Sequence, residues 1–213
     1  RRQTLSGLGA VLAAGASQRP ATAGTSYTSG ALLLFLSMNG VHSFSSDTGE
    51  VTDILLRSID WAGQRGVFDG IDVDAANGHI YFTDMGEMTV RDGAVYRCDL
   101  DGGNVRTIVA PGGTMTPKQL KLDLASGHIY WSDREGMALL RCNLDGSGLS
   151  TLLVTGDPVT NLGDQVRWCV GMALDPVGRH VYWSQKGGDN AGQGVICRCG
   201  MDLPANETAL NRT

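Results

Sequence analysis

The sequence predicts an all-β fold, a β-propeller whose blades are four-stranded antiparallel sheets. The main observation is an internal repeat, because three segments align without gaps around Tyr81, Tyr130 and Tyr182. These tyrosines lie roughly 50 residues apart, and a period of that size is typical of propellers, solenoids and repeat arrays. Composition is the second observation: 30 glycines in 213 residues favour many short strands joined by tight turns over long helices.

Two hairpin patterns occupy each repeat. In the first, apolar residues from Ile71 onward alternate with polar ones before Asp74 opens a turn, and a second strand begins near His79. In the second, residues 94–102 and 105–109 alternate around an Asp-Gly pair, which is a strong hairpin signal. Each repeat therefore predicts four short antiparallel strands, which make one blade.

A further copy of the repeat lies upstream. Residues 41–55 align gaplessly with 95–109, and Phe35–Ser37 takes the place of Tyr81–Thr83. This first blade shows no clear innermost strand. Residues 31–213 are therefore predicted to form an incomplete propeller. The predicted blades span roughly 31–58, 68–110, 118–154 and 168–213.

Three segments carry a resemblance to a known family: Tyr81-Phe-Thr-Asp84, Tyr130-Trp-Ser-Asp133 and Tyr182-Trp-Ser-Gln185. They resemble the YWTD motif of the low-density lipoprotein receptor class B repeats, and the likeness extends over about residues 31–210. The first blade departs from the motif with Phe35-Leu-Ser-Met, and the fourth blade departs at its glutamine.

The resemblance implies structural roles for the motif residues, since in that family the aromatic residues pack between blades and Thr and Asp tie strands together by hydrogen bonds. The residues to which this role carries over are Tyr81, Asp84, Tyr130, Trp131, Asp133, Tyr182 and Trp183. The family closes as a six-bladed ring, whereas this chain supplies about four blades. The resemblance therefore implies either a fragment or self-association of two chains to complete one ring.

Residues 1–30 do not show the repeat. Arg1 and Arg2, the weakly apolar run Leu8–Ala16 and the small triplet Ala21–Ala23 are similar to a twin-arginine export signal. This predicts a periplasmic or secreted protein, and the alternative is a disordered tail on a cytoplasmic one. The apolar run is shorter than the roughly 20 residues that span a bilayer, so no transmembrane segment is expected.

Charge and motifs exclude several classes of function. A net charge of -5, a pI near 5.3 and the lack of Lys/Arg runs argue against nucleic-acid binding. No phosphate loop, nucleotide fingerprint or Ser-His-Asp order is found, so neither a cofactor nor a catalytic residue is expected. Cys169 and Cys197 fall outside the repeated cysteine position and could form a disulfide.

Strand alternation places the functional face. The links between strands one and two and between three and four should be short turns on one face, and the remaining links should be long loops on the other. Long loops on a rigid scaffold usually carry binding residues. The predicted long loops span 57–69, 85–93, 110–118, 155–169 and 186–194. The candidate ligand-face residues in and beside them are Trp61, Arg65, Asp69, Lys118, Gln119, Arg167, Trp168, Lys186, Asp189 and Asn190.

Two functions remain open. The first is a non-enzymatic module that binds a protein, peptide or small ligand through this face, where Trp and Arg are common interface hot spots. Asp69, Lys118 and Gln119 precede predicted innermost strands and are expected to rim the central channel. The alternative is a metal-dependent hydrolase similar to the gluconolactonases, for which Asp69 and Asp72 are the carboxylates nearest the channel.

Overall fold

The computed structural model describes residues 10–13, 31–58 and 66–202, and in it the chain is a β-propeller of four antiparallel sheets, named blades one to four. Blade one contains β1 (Ala10–Ala13), β2 (Leu32–Ser37), β3 (Gly40–Ser45) and β4 (Val51–Leu56). Blade two contains β5 (Phe68–Asp74), β6 (His79–Asp84), β7 (Gly93–Asp99) and β8 (Arg106–Thr114). Blade three contains β9 (Pro117–Asp123), β10 (His128–Asp133), β11 (Ala138–Asn143) and β12 (Ser150–Val154). Blade four contains β13 (Cys169–Asp175), β14 (His180–Gln185) and β15 (Val195–Gly200).

The strands of each blade pair in chain order, so the predicted all-β fold of repeated antiparallel sheets is confirmed. A short 3-10 turn, Gln165–Arg167, precedes β13. Within the described ranges, no helix has the length and apolar character needed to cross a membrane. Blade four shows three strands up to residue 202, and residues 203–213 lie outside the described part of the chain.

Blade one has an innermost strand that the sequence analysis missed. Residues Ala10–Ala13 pair antiparallel with β2, with Ala10 opposite Phe35 and Ala13 opposite Leu32. These residues fall in the segment predicted to be an export signal or a tail. The other residues of 1–30 lie outside the described ranges, so export and localisation stay predictions.

Aromatic side chains fill the spaces between blades. Side chains on a strand alternate between its two faces, so neighbours in the motif point to different blades. Tyr81 packs with Leu120 and Trp131 of the following blade, whereas Phe82 packs with Leu36 of the preceding one. Full burial of such a side chain contributes about 1.5–3 kcal/mol, so these inter-blade layers are a main source of stability.

The motif of blade one is shifted by one residue from the predicted alignment. Val41 of β3 corresponds to Val95 of β7, and these two pair with Leu36 and Thr83 respectively. Leu36 therefore takes the place of Thr83, and Ser37 takes the place of the aspartate that ends β6.

The prediction that matched Phe35–Ser37 with Tyr81–Thr83 is thus wrong by one residue. Burial gives the physical reason, because a shift of one residue moves every side chain to the other face of a sheet. Leu34 and Leu36 are fully buried against blade two, whereas Phe35 is only partly buried and lies on the opposite face.

Hydroxyl groups of the motif tie neighbouring blades together. Thr83 Oγ1 accepts a hydrogen bond from Gly70 N at 2.8 Å and donates one to the Lys118 carbonyl of blade three at 2.7 Å. Ser132 Oγ donates in the same way to the Val170 carbonyl of blade four at 2.6 Å. Successive blades are therefore joined by the same contact at equivalent positions.

One of the predicted long loops is mostly strand. β8 continues to Thr114 and β9 begins at Pro117, so the predicted loop 110–118 is reduced to a two-residue link. The long links among the described residues are 85–92, 155–168 and 186–194. Proline suits the first position of a strand, where its missing N–H costs no ladder hydrogen bond.

Candidate functional site

The loop face is the side of the propeller that carries links 85–92, 134–137, 155–168 and 186–194. Antiparallel pairing in chain order places all these links at the same end of their blades. Backbone hydrogen bonds join them, since Lys186 N donates to the Trp168 carbonyl at 3.1 Å and Thr155 N donates to the Met137 carbonyl at 2.8 Å. Loops from blades three and four therefore form one continuous surface.

Trp168 is the centre of this surface. Arg134 Cζ lies 5.0 Å from the centroid of its ring, and Lys186 Nζ lies 5.6 Å from it. Both distances are within the range of cation–π attraction. The indole is partly buried, and its Nε1 has no hydrogen-bond partner among the described residues. The cluster thus combines a partly exposed apolar ring with two cations.

Arg134 is fixed in place by a buried carboxylate. Its Nη2 lies 2.5 Å from Glu135 Oε1, and its Nε lies 2.7 Å and 2.8 Å from the two oxygens of that carboxylate. Thr116 Oγ1 donates to Glu135 Oε2 at 2.5 Å, and only 3% of Glu135 is exposed. A hydrogen-bonded chain from blade two to blade three therefore holds the guanidinium over the indole ring.

Two of the predicted residues beside Trp168 form ion pairs within their own loops. Arg167 turns back on its own loop, with Nε 2.8 Å from Asp164 Oδ2 and Nη1 donating to the Thr155 carbonyl at 2.8 Å. Lys186 Nζ lies 2.8 Å from Asp189 Oδ1, and this hydrogen bond holds the pKa of Asp189 below its usual range.

Three further residues are predicted for the loop face: Asn190, Trp61 and Arg65. Asn190 is exposed with a φ of 60°, a left-handed conformation that Asn adopts more readily than most residues. Trp61 and Arg65 lie outside the described residues.

Asp69, Lys118 and Gln119 come together at the start of two innermost strands. They do not precede these strands, as predicted, but are the second residue of β5 and the second and third residues of β9. Lys118 Nζ lies 2.7 Å from Asp69 Oδ2, and Gln119 Nε2 donates to Asp69 Oδ1 at 3.4 Å. Asp69 is buried, so its charge is balanced within the propeller.

Asp72 is also engaged by the neighbouring blade. Its Oδ2 accepts a hydrogen bond from Leu122 N at 3.0 Å and lies 3.9 Å from Lys121 Nζ. In the part of the chain that the structure describes, no group of three or more His, Cys, Asp or Glu residues is placed to hold a metal ion. Asp69 and Asp72, the carboxylates predicted for a channel cation, are therefore both paired with lysines.

Calcium is expected to leave the melting temperature unchanged. A cation present at 100 times its Kd would stabilise the native state by about 2.7 kcal/mol, which a thermal melt resolves easily. We expect melts with excess Ca²⁺ and with EDTA to coincide, because Lys118 occupies the carboxylate of Asp69. A calcium-induced rise that disappears in Asp69→Asn would instead support the metal-dependent alternative.

A cleft of about 440 Å³ opens on the outer strands of blade three. Its lining includes Asp133, Leu140 and Thr151 of the blade and Arg91 from the link of blade two. The carboxylate of Asp133 already accepts hydrogen bonds from Thr114, Met115 and Thr116. It is therefore not free to bind a ligand in the cleft.

The cysteines and the repeated histidines contact the strands around them. All five cysteines are free, so Cys169 and Cys197 form no disulfide. Burial raises the pKa of the Cys98, Cys142 and Cys169 thiols to about 12, which leaves them protonated and unreactive near neutral pH. The histidines that begin the second strand of blades two, three and four each contact the tyrosine two residues later. These pairs are His79 and Tyr81, His128 and Tyr130, and His180 and Tyr182.

The sequence is similar to two fungal proteins. It is 43% identical over 141 residues to low-density lipoprotein receptor-related protein 1 of Pyricularia oryzae, an alignment that covers 64% of this chain and 46% of that protein. It is 34% identical over 146 residues to 3-hydroxyacyl-CoA dehydrogenase-like protein LAM1 of Cochliobolus heterostrophus, covering 68% of this chain and 31% of that protein. The chain thus spans less than half the length of either relative. No protein-family model matches it.

Solved structures with the same fold come from proteins of different function. The structure of a nidogen/laminin complex superposes with a TM-score of 0.61 at 21% identity, covering 85% of this chain and 60% of that one. A luciferin-regenerating enzyme superposes with a TM-score of 0.60 at 11% identity, covering 85% and 58%. A calcium-binding regucalcin from Agrobacterium tumefaciens gives 0.54 at 17% identity, covering 72% and 50%. At these identities the likeness shows the β-propeller fold alone.

Proposed function

We propose that the chain is a binding propeller that engages a protein or peptide partner through its loop face. The observation that carries this proposal is the arrangement of Trp168 with Arg134 and Lys186, two cations over one partly buried indole. Trp and Arg are the residue types most enriched among interface hot spots. The buried carboxylate of Glu135 holds Arg134 before any partner arrives, so little side-chain entropy is lost on binding.

The cluster favours a partner of particular chemistry. An apolar side chain can pack on the exposed part of the indole, and a carboxylate beside it can accept from Lys186 Nζ. A peptide segment that combines an acidic and an apolar residue fits both features. The similarity to a protein named for a lipoprotein receptor supports a partner of protein nature.

A binding role also fits the type of ring and the export that the sequence predicts. The chain is part of a YWTD-type ring of six blades, the rest of which would come from further sequence or from a second chain. Export by the twin-arginine-like segment would place it in the periplasm or outside the cell. Both assignments are consistent with a binding role and stay predictions.

Substitution of Trp168 is expected to weaken peptide binding while the fold survives. The probes are peptides selected from a random displayed library on the wild-type chain, with affinities then measured by titration. Trp168→Ala and Lys186→Glu should each weaken the selected peptides at least tenfold, about 1.4 kcal/mol, because each removes part of the recognition surface. Circular dichroism and thermal melts check that both variants are folded.

A matched pair of substitutions on the opposite face is the control. Arg106→Ala and Leu124→Ala remove an exposed cation and an exposed apolar side chain beside the short turns. These variants should keep full affinity. Peptides that bind the Trp168 and Lys186 variants as tightly as the wild type, or that lose affinity only with the control pair, would contradict the proposal.

A further inference from the structure

Blade one holds a Ser-His-Asp constellation that the loop-face proposal does not involve. Ser37 Oγ lies 2.7 Å from His42 Nε2, and His42 Nδ1 lies 2.8 Å from Asp53 Oδ1. The three residues stand on the adjacent strands β2, β3 and β4. No Ser-His-Asp order was identified from the sequence, whereas strand pairing brings these three residues together.

The other blades show that the fold does not require this constellation. Strand pairing relates Ser37, His42 and Asp53 to the same three positions in blades two and three. Blade two has Asp84, Tyr96 and Thr107 there, and blade three has Asp133, Leu140 and Thr151. Among these three blades, blade one alone combines a hydroxyl, an imidazole and a carboxylate at these positions, and there they are hydrogen-bonded in series.

The hydrogen bonds fix the roles of the two ring nitrogens. The carboxylate of Asp53 only accepts, so His42 Nδ1 carries the proton and donates to it. In the neutral imidazole, Nε2 then accepts from the hydroxyl of Ser37 at 2.7 Å, which is the shorter of that hydroxyl's two contacts, since Asn39 Oδ1 lies 3.3 Å away. If that proton moves to Nε2, the new N–H donates back to the oxygen of Ser37. This is the geometry in which a histidine acts as a general base toward a serine hydroxyl.

Local packing holds the imidazole in position. His42 is 9% exposed, and its ring stacks on Phe35 with centroids 5.2 Å apart. A Cβ on Gly40 would lie 2.7 Å from His42 Nε2, so glycine is needed for the ring to point at Ser37. Ala94 and Ala138 occupy the position of Gly40 in blades two and three.

We propose that this constellation is a hydrolytic site for small activated carboxylic esters, with Ser37 as the nucleophile, His42 as the general base and Asp53 as a positioning residue. Ser37 Oγ forms a bond to the acyl carbon, its proton passes to His42 Nε2, and the ester C–O bond breaks to release the alcohol, which takes that proton. Water, deprotonated by His42, then attacks the acyl carbon. The Ser37–acyl bond breaks, the serine regains a proton, and the carboxylic acid leaves.

The turn that follows β2 supplies the backbone N–H groups nearest in sequence to the nucleophile. The N–H groups of Met38 and Asn39 lie in the turn directly after Ser37 and are the donors nearest in sequence for the developing oxyanion. Asp53 has 60% of its side chain exposed, so its support for the imidazole is weak and activated esters are the expected substrates.

A fluorophosphonate and 4-nitrophenyl acetate test the proposal on the full chain. The fluorophosphonate should form one adduct, on Ser37, as the serine oxygen bonds to phosphorus, fluoride leaves and the proton passes to His42. The adduct is located by peptide mass spectrometry. Ser37→Ala should abolish the adduct, and Ser37→Ala and His42→Gln should each lower kcat for 4-nitrophenyl acetate about 100-fold or more.

The positioning residues and a control separate catalysis from folding. Asp53→Asn should lower kcat with KM and circular dichroism unchanged, because Asp53 is exposed and acts only on the imidazole. Gly40→Ala should also lower kcat, because its Cβ would displace the His42 ring, and its thermal melt shows how far the contact with Leu56 disturbs the blade. Ser43→Ala, on the opposite face of β3, should label and hydrolyse like the wild type. An adduct absent from Ser37, or hydrolysis that persists in Ser37→Ala, would overturn the proposal. Neither result would affect peptide binding at the loop face.

Discussion

Asp133→Asn is expected to lower the free energy of unfolding by about 3–5 kcal/mol. The carboxylate is 1% exposed, and it accepts hydrogen bonds at 2.7 Å from Thr114 Oγ1, Met115 N and Thr116 N. Gly136 N also donates to it at 3.2 Å. The amide replaces one acceptor oxygen by a donor, which leaves buried donors unsatisfied, and each of these costs about 1–3 kcal/mol.

The effect should extend to the packing between blades two and three. Thr114 Oγ1, which donates to Asp133, also accepts from Trp131 Nε1 at 3.1 Å. Loss of the carboxylate therefore removes the group that orients the acceptor of Trp131, which is fully buried. Urea unfolding, followed by tryptophan fluorescence, measures the change as a lower midpoint.

An exposed aspartate of the same blade is the control. Asp145 accepts from Ser147 in a hairpin turn at the surface, so Asp145→Asn leaves no buried donor unsatisfied. Its midpoint should shift by a small fraction of that seen for Asp133→Asn. If the two variants unfold at the same urea concentration, Asp133 does not have the structural role that its hydrogen bonds indicate.

The fold was predictable because its signals are local and repeated. Alternation with a period of two, Asp-Gly turns and recurrent aromatic residues each describe a few neighbouring residues, and the repeat presents them several times. The placement of Tyr81 and Trp131 between blades follows from the same periodicity. The gathering of Asp69 and Lys118 was anticipated in part, since equivalent positions of neighbouring innermost strands must lie close together.

The features that escaped prediction depend on tertiary pairing. Pro111 and Gly112 mark a turn in most sequences, but here they lie within β8, whose pairing with β7 is irregular and accommodates a φ of 100° at Gly112. Arg134 follows a strand in a short link, so loop length gave no reason to place it on the loop face. The Ser37 constellation depends on a register that only strand pairing fixes.

Gly146→Ala is expected to lower the free energy of unfolding by about 2–5 kcal/mol, far more than the same change at Gly127. Both glycines have a left-handed φ, 88° and 72°, which costs an alanine about 1–2 kcal/mol. A Cβ on Gly146 would also overlap the carbonyl oxygen of Ile108 on the outer strand of blade two, whereas a Cβ on Gly127 meets nothing within 4 Å. Overpacking of this kind adds about 1–3 kcal/mol.

Gly146→Ala and Gly127→Ala share the cost of a left-handed φ. The difference between their free energies of unfolding therefore measures the effect of the close approach between neighbouring blades. Gly102 provides a repeat of the test, since its φ is 83° and a Cβ there would overlap the Ile54 carbonyl of blade one. Gly102→Ala should therefore unfold at a urea concentration close to that of Gly146→Ala. Equal destabilisation by Gly146→Ala and Gly127→Ala would mean that the Asp-Gly turns require glycine for their own conformation alone, and that the blades can separate slightly at little cost. The expected difference of about 1–3 kcal/mol would mean that these turns also set the spacing between blades.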